Sequence, residues 1–146
     1  MQPYSRHIVI DADFDRVVVD MLKALRDEGL EIVARLDVRE HFEKLLGRDF
    51  RRHLVFEVWS PDLALNAIRQ DLEAGASIMT RFVVYELADG ETVVATTEGL
   101  SPLIADQAYR ARHPGLAVLA DRERERAASV LARLDRRQSS QMPTAA

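Results

Sequence analysis

The chain reads as an α/β (α+β) domain, a two-layer sandwich with helices packed on one face of a mixed sheet of about five strands. Three features of its 146 residues predict this. Apolar residues recur at helical spacing in Phe14, Val17, Val18, Met21, Leu22 and Leu25, and again from Leu116 to Leu134. Runs rich in β-branched and aromatic residues stand between the helical segments, such as Leu54-Val55-Phe56-Glu57-Val58-Trp59. The Asp89-Gly90 pair between two such runs is a hairpin signal. The order is β-α-β-α-β-α-β-β-α. Its helical crossovers favour parallel neighbours, whereas the final hairpin forces an antiparallel pair.

Each element has a local reason. Tyr4 to Asp11 is a β-branched strand, and Asp13 then caps the first helix, which Gly29 ends. Leu30 to Leu36 is the second strand. Asp37 caps a helix with Val38, Phe42, Leu45 and Leu46 on one face, closed by Gly47. Arg52 to Trp59 is the third strand. Ser60 can cap the next helix, and Pro61 suits its first turn, where a missing N–H costs nothing. Leu65, Ile68 and Leu72 make that helix's apolar stripe. Ile78 to Glu86 is the fourth strand. Gly99 to His113 is irregular, with a short helix within Leu103 to Tyr109. After Pro114 a long amphipathic helix carries Leu116, Leu119, Ala120, Ala127, Val130, Leu131 and Leu134 on its core face. Its segment Asp121-Arg122-Glu123-Arg124-Glu125-Arg126 alternates in sign, as a solvated face does.

Length and composition set the class. One domain over residues 1–137 accounts for the patterned chain, and 138–146 read as a flexible polar tail. A net charge of -4 offers no general attraction to nucleic acid or anionic membrane. No apolar run approaches the roughly 20 residues of a membrane span. The N-terminus lacks the apolar core of a signal peptide, and the chain has no cysteine, which suits a reducing cytoplasm. Disulfides, thiolate metal sites and cysteine nucleophiles are excluded. No phosphate loop, dinucleotide fingerprint or nucleophile elbow occurs, so no cofactor is expected. No short ligand spacing indicates a metal.

Strand parity divides the sheet. Ile8, Ile10, Ile32, Leu54, Phe56 and Val58 should lie under the helices. His7, Val9, Val33, Arg35, Val55, Glu57, Trp59, Arg81, Val83 and Tyr85 should lie on the opposite face. A face that mixes valines and aromatics with charges suits a subunit interface better than open solvent, so a homodimer through this face is expected. Trp59, Ser60, Thr80 and Arg81 should meet at the mouth of the third helix. Free N–H groups there could hold a small anion, with Arg81 or Arg35 as counter-charge and Trp59 as an apolar wall. His7 and Glu57, with Glu98 beside them, are the candidates for acid–base chemistry if strand order unites them. His41 and His53 flank Arg48, Arg51 and Arg52, a basic patch without the aromatic array that stacks on bases.

These elements, in this order, resemble the family catalogued as domain of unknown function 302. The resemblance runs over roughly residues 4 to 136. It rests on Ile8-Val9-Ile10, the helix Phe14 to Leu25, Glu28-Gly29-Leu30, and Glu43-Lys44-Leu45-Leu46-Gly47 followed by Asp49-Phe50. It continues with Trp59-Ser60-Pro61, Leu63-Ala64, Phe82-Val83-Val84-Tyr85-Glu86, and Asp89-Gly90 leading to Thr92-Val93-Val94. Family members commonly carry a cysteine and an asparagine before the proline of the third helix, and a Pro-Cys-Asn before the fourth strand. Here those positions are Trp59 and Ser60, and Met79-Thr80-Arg81. The resemblance implies a self-associating α/β domain and names no reaction. Two functions follow from the sequence. The first is a homodimeric small-ligand-binding or protein-interaction module. The second is an enzyme using His7 and Glu57 as an acid–base pair, with Arg81 stabilising an anion on a small acidic substrate.

Overall fold

The computed structural model describes residues 6–88 and 90–141, with backbone alone for Ala88 and 137–141. Five strands form one sheet: β1 (Arg6–Asp11), β2 (Glu31–Asp37), β3 (His53–Trp59), β4 (Thr80–Ala88) and β5 (Glu91–Glu98), in the order β1-β5-β4-β3-β2. Six α-helices accompany them: α1 (Phe14–Asp27), α2 (Val38–Leu46), α3 (Pro61–Gln70), α4 (Leu100–Ala105), α5 (Gln107–Arg112) and α6 (Pro114–Gln141). A 3-10 helix, Leu72–Ser77, follows α3.

The α/β class holds, but the sheet is antiparallel throughout rather than mixed. The β1-α1-β2 crossover spans the whole sheet and puts its two strands on opposite edges, so they never become neighbours. The excursions carrying α2 and α3 each reverse the chain and return it beside the strand it left. A helix between two strands therefore sets no parallel pair here. β4 and β5 pair as the hairpin signal required, with Gly90 at φ 82, a left-handed conformation that glycine adopts without strain. Asp89 lies outside the described residues, as do Tyr4, Ser5 and 142–146. Helix α6 continues through Gln141, into the stretch expected to be a tail.

Alternation along the strands builds the core. Ile10, Leu54, Phe56, Val58, Phe82, Val84 and Val94 face a layer made by α1 and α6. The stripe on α1 packs as its spacing dictates, with Phe14, Val17, Val18, Met21 and Leu25 buried, and Asp13 caps it by accepting from the Arg16 N–H at 2.9 Å. The α6 stripe is likewise buried. Two stripes behave differently. In α3 the buried residues are Leu63, Ala64 and Ala67, while Leu72 is 81% exposed. The two alanines form the small face, so this face and not the leucine stripe meets the second core cluster around Leu116, Leu119 and Ala120. In α2 nothing is buried: Leu45 and Leu46 remain 75% and 65% exposed.

A register shift between Ile32 and Ala34 corrects the facing of β2. Beyond that bulge Arg35 pairs with Phe56, and its guanidinium lies 5.7 Å from the Phe56 ring centroid on the helix side. Arg35 therefore leaves the face on which simple alternation placed it. Among the described residues no helix is long and apolar enough to cross a membrane.

Candidate functional site

The turn from β3 into α3 is the place to which the sequence drew attention, and the structure divides its residues. Thr80 pairs with Val58 and turns to the helix layer. Arg81, its neighbour on β4, turns to the open face. There the Arg81 Nε donates to Glu57 Oε1 at 2.6 Å across the strand pair. Trp59 shares the open face with Glu57 by alternation, and Ser60 is buried at the start of α3. The four do not converge on one cavity. Trp59 and Thr80, which stand where family members commonly carry cysteines, fall on opposite faces.

The helix N-terminus expected to hold an anion is already occupied. Pro61 has no N–H, and Ala64 donates to the Ser60 carbonyl at 2.9 Å. The Asp62 carboxylate itself lies at this terminus, and the backbone of Leu63 and Asp62 adds a little to the lowering of its pKa. Arg126 clamps that carboxylate with two bonds of 2.8 and 2.9 Å. The Arg126 bond leads the causes that hold the Asp62 carboxyl down at about 2. The turn nevertheless leaves two buried polar atoms, Trp59 Nε1 and Ser60 Oγ, without a partner among the described residues. Close by, Leu22, Leu25, Arg26, Leu30, Glu31, Ile32 and Pro61 line a cleft of about 470 Å³ between α1, β2 and α3.

His7 and Glu57 share the open face but do not form a pair. His7 is on β1, opposite Ala95, and Glu57 is on β3, opposite Arg81. Two strands separate them, a gap of about 14 Å at normal strand spacing. Glu98 is engaged elsewhere, in an ion pair with Arg6. Among the described residues no three His, Cys, Asp or Glu side chains gather as a metal ion requires. The basic patch is also partly consumed internally. Arg51 donates to the carbonyls of Glu86 and Leu87, and Arg52 bonds Asp15 at 2.5 Å.

Two constellations escaped the sequence reading. The first is Glu123, only 4% exposed. Its Oε1 accepts from the Leu100 N–H at 3.1 Å and its Oε2 accepts from the Thr80 hydroxyl at 2.9 Å. Burial pushes this carboxyl up to about 7 against the pull of those donors, and nearby Glu98 adds to the rise. The second is Asp71, whose Oδ2 accepts from the Tyr109 hydroxyl at 2.5 Å and lies 3.8 Å from His113 Nε2. Desolvation and this bond raise the Tyr109 phenol to about 12. That phenol is a donor that ties α5 to the 3-10 helix, not a nucleophile.

The open face has an orderly composition. Two of its rows are mainly apolar, His7-Ala95-Val83-Val55-Leu36 and Val9-Val93-Tyr85-His53. A polar row, Thr97-Arg81-Glu57-Ala34, borders them. His53 stacks on Tyr85 at 5.4 Å, and Phe50 and Phe42 continue this aromatic string to α2. At the margins of the two apolar rows Val9 and Leu36 are 46% and 42% exposed, whereas Val93 between β1 and β4 is buried.

These features define an α+β sandwich with one helix-covered and one open sheet face. The chain belongs to the family described as domain of unknown function DUF302, whose model matches residues 7–134. Its fold is similar to that of an uncharacterised conserved DUF302 protein from Bacillus stearothermophilus, with a TM-score of 0.76 at 20% identity, over 91% of this chain and 99% of that one. No curated protein matches the chain.

Proposed function

We propose that this domain works as a self-associating interaction module in which two copies pack their open sheet faces together. The observation that carries the reading is the pair of apolar rows on the open face, exposed at Val9 and Leu36 and bordered by the Arg81–Glu57 pair, the pattern of an apolar interface centre with a polar rim. Five strands at ~4.8 Å spacing and about seven residues at ~3.3 Å rise give a projected face of roughly 550 Å². Phe42, Leu45, Leu46 and Phe50 extend it toward the ~800 Å² per partner of a standard stable interface. A two-fold pairing sets the same patch against itself, so each Arg81 has a carboxylate within the opposing rim.

Light scattering on the purified chain at micromolar concentration tests this. The expected mass is that of two copies, and a monomer mass would overturn the reading. Val55→Asp puts an unpaired charge at the centre of the face. It is expected to weaken association by about 3 kcal/mol, more than a hundredfold in the dissociation constant, with the circular dichroism of the fold retained.

A second reading, small-ligand binding, draws support from the two unpartnered polar atoms at the β3–α3 turn and the adjoining cleft. Its apolar wall and Arg26 suit an amphipathic acid. Trp59 is the only tryptophan and stands two residues before Pro61 of the cleft wall, so its fluorescence reports a change at this turn. A saturable change with small aromatic acids supports binding here, and a flat response across a broad panel rejects it.

A further inference from the structure

We infer that the small basic cleft where β2 leaves the sheet and β3 enters it is a phosphoryl-binding site. Phe14, Arg35, Asp37, Arg39, Arg52, His53 and Leu54 line it, and its volume is about 50 Å³. A space of this size holds a few water molecules, enough for one small oxyanion group.

The charges are unbalanced in a chain whose overall charge is negative. Three guanidinium groups face the cleft against one lining carboxylate, Asp37. That carboxylate is committed to α2, where it accepts from the Glu40 N–H at 3.0 Å. Arg35 and Arg39 form no ion pair among the described residues. Arg52 pairs with Asp15, which is outside the lining. With Arg52 matched by Asp15 and Asp37 also present, one positive charge is left over, and Arg35 and Arg39 keep two unpaired forks of donors, which suit the several oxygens of a phosphoryl group better than the two of a carboxylate. His53 adds no charge at neutral pH, because burial lowers the basicity of its ring.

Two of the three arginines are also held in place. The Arg52 guanidinium lies 4.3 Å from the Phe14 ring centroid, and that of Arg35 lies 5.7 Å from Phe56. Both rings are buried core residues. Stacking on a fixed ring removes much of the side-chain freedom that binding would otherwise have to quench. The flat, forked donors are then presented to an oxyanion at little further cost.

The test is calorimetric titration of the full chain at fixed ionic strength with orthophosphate, phenyl phosphate, sulfate and acetate, alongside the 31P shift of the two phosphorus probes. Saturable binding of at least one phosphorus probe, tighter than acetate, is expected. Arg35→Gln combined with Arg39→Gln should weaken it tenfold or more, consistent with the loss of charge-assisted hydrogen bonds. Both residues are exposed and neither forms an ion pair among the described residues, so only the Arg35 contact with Phe56 is lost; the thermal midpoint without anion should fall by no more than about 2–4 °C with the circular dichroism retained, which separates a lost site from a lost fold. Preference for phenyl phosphate over orthophosphate identifies an ester as the source, and the reverse identifies the free anion. Non-saturable heats, equal binding of acetate, or undiminished affinity in the double variant would overturn the inference.

Discussion

Alanine at position 99 is expected to destabilise the fold by about 3 kcal/mol or more, a large share of the 5–15 kcal/mol that typically holds a domain together. A Cβ there would stand 2.3 Å from the Ser77 carbonyl oxygen and 2.4 Å from that of Met79. Neither oxygen can swing away as a side-chain end could, because both belong to the backbone that leads into β4. Gly99 cannot retreat either. Its N–H, with that of Leu100, is directed at the buried Glu123 carboxylate, which pins the β5–α4 corner to α6. The φ of Gly99 is -72, so the demand is for space and not for a left-handed backbone. Urea denaturation should show a lower midpoint with an unchanged slope, and a midpoint equal to that of the parent chain would refute the account.

Glu123→Gln is expected to act in the other direction. The folded carboxyl titrates near 7 and an unfolded glutamate near 4.5. Between those values the folded state holds a proton that the unfolded state has released, so this group's stabilisation is fully present below about pH 4.5 and is lost as pH rises toward 7. The loss is about 3 kcal/mol. A glutamine keeps an acceptor for the Leu100 N–H, and its amide can donate to the Thr80 hydroxyl, while carrying no charge to desolvate. The variant should therefore exceed the parent chain in stability at pH 8 and converge with it near pH 4.5. Asp62, held near 2 by Arg126, contributes the opposite dependence in acid and is common to both proteins. Parallel stability curves for the two chains from pH 4.5 to 8 would show that Glu123 is not the titrating group.

What could be read from the sequence follows from the range of each signal. The α1 stripe, the Asp13, Asp37 and Asp106 positions before helices, and the Asp89-Gly90 turn are local. Their physics is complete within a few residues, although the cap at Asp106 went unnoticed. Glu123 was hidden by its neighbours, since a run of alternating charges suggests a solvated face. The spacing held the clue: Glu123 is three residues after Ala120 and four before Ala127, inside the buried stripe of α6. The bulge in β2 turned Arg35 to the helix side, and nothing in Ile32-Val33-Ala34 announces an unpaired residue. Strand order was beyond local reading altogether. It separated His7 from Glu57 and, with parity, split Thr80 from Arg81. At the start of α3 the sequence also left unread that Asp62 brings a carboxylate of its own to the helix.

The β1-α1-β2 crossover has a consequence for the birth of the protein. The first strand closes one border of the sheet, the second closes the other, and the three strands between them are made later on the ribosome. Arg6 must wait for Thr96 before it has a partner. The early segment therefore emerges with two strands that cannot pair with each other, whereas β3, β4 and β5 pair as successive neighbours, β4 and β5 through a tight turn and β3 and β4 across the excursion that carries α3. Until β5 leaves the ribosome, the apolar stripe of α1 has no completed sheet to cover. Nascent chains stalled before residue 98 should accordingly be the ones that engage chaperones or aggregate most, and the vulnerability should end only when α6 follows and covers the rest of the core.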